Sequence, residues 1–359
     1  MQADAARGGG RLSSSMNNTR SAIVLALAAC AVVAQRPQPA PEAKLPPVPA
    51  GLEGQVRVGG SDLLLHCSQL MAKDFVSRAT EVDVAVRGGG SAASIQMLLK
   101  GKIDLAVSAR PMRKAELAKF HEQEVEFVEV PVAVEAIALV APRENEWLDF
   151  VTVDELRKLW TPSGDVLTWK DVRASWPDVP LERFVRNPTT GFASTLGPVL
   201  GEHARRMAPA QRLRGEALYA AVGAARGGLG MTDSVSATEQ TEHVKLVAID
   251  GGAGPVSPTT ASIGNGHYAP LSRPLLLYVN RSALKRPEVE AFVRFYLANG
   301  RRVASALRMV PASGALRRCA ERVISGREPG TRFRNTKGEP LGGTLADLFR
   351  LPAKSRPVK

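Results

Sequence analysis

Val82-Asp83-Val84-Ala85-Val86, Gly88-Gly89-Gly90-Ser91, Ile95-Gln96-Met97-Leu98-Leu99 and Lys102-Ile103-Asp104-Leu105-Ala106-Val107-Ser108 follow one another almost without interruption. The first run alternates in the period of a strand. The glycines and serine make a turn, Ile95, Leu98 and Leu99 recur at helical spacing, and Gly101 ends that helix before a second apolar strand. The same order stands upstream. Gln55-Val56-Arg57-Val58 reads as a strand, Gly59-Gly60-Ser61-Asp62 as a turn, and Leu63, Leu64, Cys67, Leu70, Met71 and Phe75 as one face of a helix. Residues 113–121 read as a further helix. Strand, turn and helix in repetition predict an α/β fold with a mainly parallel sheet and helical crossovers.

Farther along, residues 125–141 form a long β-rich stretch broken by Pro131, of a length to carry the chain from one lobe into another. Thr152-Val153-Asp154-Glu155 is a capping box, and mixed α/β patterning continues to about residue 260. Leu275 to Val279 is an apolar strand, and residues 286–299 form an amphipathic helix ending at Gly300.

A chain of 359 residues has room for two cores, and 44% apolar with 23% charged residues is ordinary for a soluble protein. Only 5% is aromatic, which argues against a stacking wall for sugars or nucleobases. The net charge of +12 favours an anionic partner. Nucleic acid is not expected, because basic and aromatic residues do not interleave. His66, His121, His203, His243 and His267 are scattered without ligand spacing, so neither a metal nor any other cofactor is expected. Cys67 and Cys319 are expected to be separate thiols, although an exported compartment permits a disulfide between them.

The first 29 residues read as an export signal. Arg20 precedes the apolar run 22–29, and Leu27-Ala28-Ala29-Cys30 resembles the lipobox of bacterial lipoproteins, with Cys30 as the acylated residue. Cleavage after Ala34 is the rival reading, and Met16 is a better start than Met1. Residues 30–51 are a Pro/Ala-rich linker. The expected location is the periplasm or cell surface, with a lipid anchor as the sole membrane contact. No stretch after residue 50 approaches the length of a membrane span.

The chemistry should lie at three turns: Gly59 to Asp62, Gly88 to Ser91, and Arg186-Asn187-Pro188-Thr189-Thr190-Gly191. Glycines admit close backbone approach, hydroxyls donate hydrogen bonds, and helix-start amides favour an anion. Arg186 would add a bidentate donor. Taken singly, a Gly-Ser turn is also an ordinary N-cap and Arg186 an ordinary surface arginine. Together, at the carboxyl ends of parallel strands, they describe an anion site.

Gly60-Ser61, Gly88 to Ser91 and Gly101 to Met112 resemble successive ligand-loop motifs of the periplasmic phosphate-binding proteins of ABC transporters. Trp169-Lys170-Asp171, Arg186 to Gly191, Gly228-Leu229-Gly230-Met231 and Tyr268 to Leu275 continue the resemblance, over roughly residues 54–325. Gly330-Thr331-Arg332-Phe333 is similar to a C-terminal Gly-x-x-Phe element of some members. The resemblance implies a two-lobed type II periplasmic binding protein fold, each lobe a mixed, mainly parallel sheet flanked by helices. Lobe 1 would be residues 52–140 and 270–325, lobe 2 residues 141–269, and residues 326–359 a C-terminal extension and basic tail. It implies capture of inorganic phosphate or a related oxyanion between the lobes by a monomer, for an ABC permease. Its ligand residues would be Ser61, Asp62, Gly90, Ser91, Ser108, Arg110, Arg186, Thr190 and Gly191.

This chain departs from the family in places. Asp62 and Leu63 stand where hydroxyl residues are usual, Ala92 where glycine is usual, and Phe192 where threonine is usual. Asp62 either caps its helix or accepts a proton from the ligand, which would select protonated phosphate over sulfate. Two other functions compete: an anchored sensor or scaffold using the same fold, and a phosphate-ester hydrolase. The hydrolase lacks a histidine in recognisable pairing with Ser61, Ser91 or Thr190, so no enzyme activity is expected.

Overall fold

A computed structural model describes residues 47–350 apart from 61, 161–165, 187–194, 198 and 202–207. The signal and lipidation reading at Cys30, the linker up to residue 46, Ser61, Thr190, Gly191 and the tail beyond residue 350 lie outside the described residues, as does the Asp62 side chain.

The strands are β1 (Gly54–Gly60), β2 (Val82–Arg87), β3 (Leu105–Ser108), β4 (Phe127–Pro142), β5 (Phe150–Thr152), β6 (Glu182–Arg186), β7 (Gln211–Leu213), β8 (Gly228–Asp233), β9 (Val244–Asp250), β10 (Pro255–Val256), β11 (Ser272–Asn280) and β12 (Val310–Pro311). Around them stand helices α1 (Asp62–Val76), α2 (Gly90–Leu99), α3 (Lys114–Glu122), α4 (Val153–Trp160), α5 (Glu216–Ala224) and α6 (Ser234–Thr238). The later helices are α7 (Thr260–Gly264), α8 (Pro287–Ala298), α9 (Gly300–Ala306), α10 (Gly314–Gly326) and α11 (Leu345–Arg350).

The sheet runs β2-β1-β3-β11-β4-β8-β6-β7. β1 is parallel to β2 and β3, and β6 is parallel to β7 and β8, as crossover helices require. β4 serves both halves. Its first part, Phe127 to Ala136, pairs antiparallel with β11, and its last, Ile137 to Pro142, pairs with β8 and β9. One long strand therefore crosses from one sheet region into the next.

Pro131 was expected to break this stretch, and it does not. β4 continues through it, and the register against β11 shifts there, Leu276 facing Pro131 and Leu275 facing Ala133. A bulge is where a strand tolerates a residue without an N–H. The strand expected from Lys102 starts only at Leu105. The Lys102 amide closes the preceding helix onto the Met97 carbonyl, and the Asp104 carboxylate is taken by Arg57 and Arg286.

The fully buried Val56, Val58, Leu105 and Val107 of the first sheet pack on Leu64, Met71 and Phe75 of α1 and on Phe292 and Tyr296 of α8. Burying each such side chain contributes about 1.5–3 kcal/mol. Pro287 opens α8 at the position where a missing N–H costs nothing. The described part of the C-terminal extension, residues 326–350, folds back on this region. The Gly330 amide donates to the Phe127 carbonyl at 2.9 Å, and buried Glu129 accepts from the Thr331 hydroxyl at 2.9 Å and the Arg332 amide at 2.8 Å.

Cys67 and Cys319 are both free thiols, Cys67 buried with its pKa pushed up to about 11 by desolvation. Among the described residues no cluster of His, Cys, Asp and Glu could hold a metal, and no helix is long and apolar enough to cross a membrane.

Candidate functional site

The site is built at the carboxyl ends of parallel strands. The chain leaves β2 through Gly89 (φ 130°) and Gly90 (φ 83°), backbone values that side chains with a Cβ rarely adopt. This turn aims α2 with a glycine at its cap and no acidic residue in its first turn. The first turn of the helix therefore adds no carboxylate to the positive end of its dipole, an end that favours anions. Ser91, the next residue, accepts a hydrogen bond from the Ala109 amide at 3.2 Å. That contact fixes the start of α2 beside the end of β3.

Ser108 ends β3 and is fully buried. Its hydroxyl donates to the Arg110 carbonyl at 2.7 Å and accepts from the Arg110 amide at 3.3 Å, which folds the chain tightly after the strand. The Arg110 fork closes on Glu116, at 2.8 and 2.7 Å, and also donates to the Pro111 carbonyl at 3.0 Å. Glu116 in turn accepts from the Arg113 amide at 2.7 Å at the start of α3. Burial works to raise the Glu116 carboxyl, but the Arg110 guanidinium and the Arg113 amide outweigh it and hold it below the usual range. Arg110 and Ser108, expected as ligand groups, thus have well-defined partners in the protein: they shape the turn that places Ala109 against Ser91.

Arg186 stands at the end of β6 and forms an ion pair with Asp233 at the end of parallel β8. Asp233 also caps α6, accepting from the Ser236 amide at 2.8 Å and its hydroxyl at 2.7 Å. Arg308 approaches the same carboxylate at 3.7 Å, while donating to the Ser236 hydroxyl at 2.9 Å and pairing with Glu239 at 2.7 Å. These groups line a cavity of about 300 Å³. The Arg186 side chain remains 39% exposed, so its charge is positioned but still accessible.

A third group was missed in the sequence. Glu135 of β4 faces Arg273 of β11 in register and forms an ion pair with it. The Thr195 hydroxyl also donates to the Glu135 carboxylate at 3.4 Å. The signal was present: a glutamate inside the apolar run from Val132 to Ala141 demands a partner.

Gly90, Ser91, Ser108 and Arg110 are thus assembled into one corner, and Arg186 into another, both at strand ends joined through β4. Residues 47–299 match the family model described as a PBP superfamily domain. The chain belongs to the PBP superfamily. Among its relatives, protein SphX of Synechocystis is 29% identical over 268 residues, covering 73% of this chain and 80% of the relative. The phosphate-binding protein PstS of Staphylococcus aureus is 25% identical over 252 residues, 68% of this chain and 75% of its own. A solved structure described as a possible phosphate binding protein from Planctomyces limnophilus superposes with a TM-score of 0.67 at 27% identity, covering 77% of this chain and 99% of that one. This PBP superfamily member therefore has the two-lobed type II periplasmic binding protein fold, and β4 and β11 are the strands on which its Glu135–Arg273 pair sits.

Proposed function

We propose that the protein captures inorganic phosphate, or a related tetrahedral oxyanion, between lobe 1 (residues 52–140 and 270–325) and lobe 2 (residues 141–269), and delivers it to an ABC importer. The observation that carries this reading is the glycine turn opening α2 at the carboxyl end of β2, with Ser91 held against Ala109. It presents helix-start amides of the kind that bind anions. Arg186 supplies the charge from the other lobe, and the similarity to PstS of Staphylococcus aureus supports phosphate as the anion. Ser61, Thr190 and Gly191 complete the ligand set in this proposal, with Asp62 accepting the proton of hydrogen phosphate. The protein acts as a monomer outside the cytoplasm, held by lipid on Cys30. Binding and release are its whole task, and no catalytic group is required.

Arg186→Ala tests the reading. It removes a charge-assisted donor, worth about 1.5–3 kcal/mol, and so should weaken phosphate binding by about 10- to 150-fold. It also leaves Asp233 less neutralised near the anion, which acts in the same direction. Unchanged phosphate affinity in the variant would remove Arg186 from the site. A protein that binds none of phosphate, arsenate, sulfate and molybdate would be the sensor or scaffold instead.

A further inference from the structure

A second cavity, of about 540 Å³, lies between α3 and the C-terminal strap, and none of the residues that line it is assigned to the phosphate site. We infer that this cavity binds a small amphipathic carboxylate, an acyl or aryl acid with its apolar body inside and its carboxylate at the rim. The volume falls within the roughly 300–1,000 Å³ typical of small-molecule sites.

Its first wall is one face of α3. Lys114, Leu117, Ala118 and His121 follow at the spacing that aligns side chains on a single helical stripe. The floor is apolar, formed by Val125 and Phe127 as the chain enters β4. The opposite wall is the strap, residues 329–331 and 334–338. That wall is fixed at both ends. Glu129 holds Thr331 and the Arg332 amide, and Arg334 donates to the Met112 carbonyl at 3.2 Å and the Gly338 carbonyl at 2.8 Å. Gly338 (φ 75°) lets the strap lie against Lys114, since a Cβ there would come within 2.9 Å of that side chain. The gap is thus bounded by hydrogen-bonded backbone and a packed helix, and is formed before any ligand arrives.

Charge selects the class of occupant. Lys114, Arg334 and Lys337 line the cavity, and none of them makes an ion pair among the described residues. Of the acids there, Glu126 is already paired with Arg281 at 2.7 Å, which leaves Glu124 alone against three cations. A net positive rim over an apolar floor suits an anion that carries hydrocarbon. Free phosphate would leave the floor wet, and a neutral or cationic amphiphile would leave the rim uncompensated.

The test is isothermal titration of the purified protein with decanoate below its micelle concentration, beside decyltrimethylammonium of matched chain length. Saturable one-site binding of decanoate, at least tenfold tighter than the ammonium compound, is expected. Ala118→Trp, at an exposed helix position, should fill the cavity and weaken decanoate at least tenfold while leaving phosphate titration unchanged. Lys114→Ala combined with Lys337→Ala should weaken decanoate by about three- to tenfold, with a loss that shrinks as salt is added. The inference is overturned if decanoate shows no saturable binding, if the ammonium compound binds equally well, or if Ala118→Trp leaves decanoate binding intact.

Discussion

Replacing Asp104 by alanine should destabilise the first sheet and, through β3, slacken the contact between Ala109 and Ser91. The Asp104 side chain is 2% exposed and takes two arginines, Arg57 at 2.8 Å and Arg286 at 2.9 Å. It also accepts from the Arg57 amide at 2.8 Å. Truncation orphans that amide, and an orphaned buried donor costs about 1–3 kcal/mol. The Arg57 and Arg286 side chains are 37% and 40% exposed, so both charges keep contact with water, although the Arg286 Nε and Nη2 atoms themselves are buried. Each lost pair then counts on the surface scale of up to about 1 kcal/mol. The sum is about 1–5 kcal/mol. With an unfolding entropy of about 2.1 cal/mol/K per residue over roughly 300 residues, Tm should fall by about 2–8 °C. Thermal unfolding followed by circular dichroism measures it. Because Arg57 and Asp104 share one interaction, Asp104→Ala and Arg57→Ala together should cost about 1 kcal/mol less than their sum. A Tm within about 1 °C of the parent, or strict additivity, would refute the reasoning.

Three further outcomes are expected. Glu116 is held below its usual pKa by Arg110, so its contribution is fully present above the pKa of an unfolded glutamate, about 4.3, and is lost as pH falls through the lower folded value. Glu116→Gln should therefore lower Tm at pH 7 and match the parent near pH 2, and a pH-independent difference would contradict this. Gly90→Ala places a Cβ at φ 83°, where nothing lies within 4 Å, so the cost is conformational alone, about 1–2 kcal/mol, and phosphate affinity should fall as the turn re-forms. An affinity and a Tm equal to the parent's would place that turn outside the site. Cys67, with its thiol pushed up to about 11 inside the core, should resist a thiol reagent at pH 8 that labels half-buried Cys319; equal labelling rates by mass spectrometry would show that the α1 core opens readily.

The sequence made the fold legible where periodicity is local. Val82 to Ser108 alternates, turns and recurs as the structure does, because a strand, a glycine turn and a short helix each bury one face within a few residues. The late start of the strand expected over 102–108 was not visible, since it depends on Asp104 meeting Arg286, far away in the chain. Pro131 misled for a related reason. Its effect is set by the opposing strand, where β11 slips past it to make a bulge. At the site, the glycine turn and Arg186 were readable from residue type, and the joining of Ser91 to Ala109 was not. Arg110 shows the limit best: a fork suited to an oxyanion was taken up by Glu116, a carboxylate in the following helix. Glu135 and Arg273, separated by 138 positions, were recognisable individually as charges in apolar strands and only the sheet register pairs them.

The central claim, an oxyanion held between the lobes, is tested most directly by isothermal titration of the purified protein with phosphate beside sulfate. The account predicts saturable one-site binding of phosphate at micromolar concentrations or tighter, with sulfate at least tenfold weaker because it has no proton to offer Asp62. Absence of heat from phosphate, sulfate and the other oxyanions alike would contradict it.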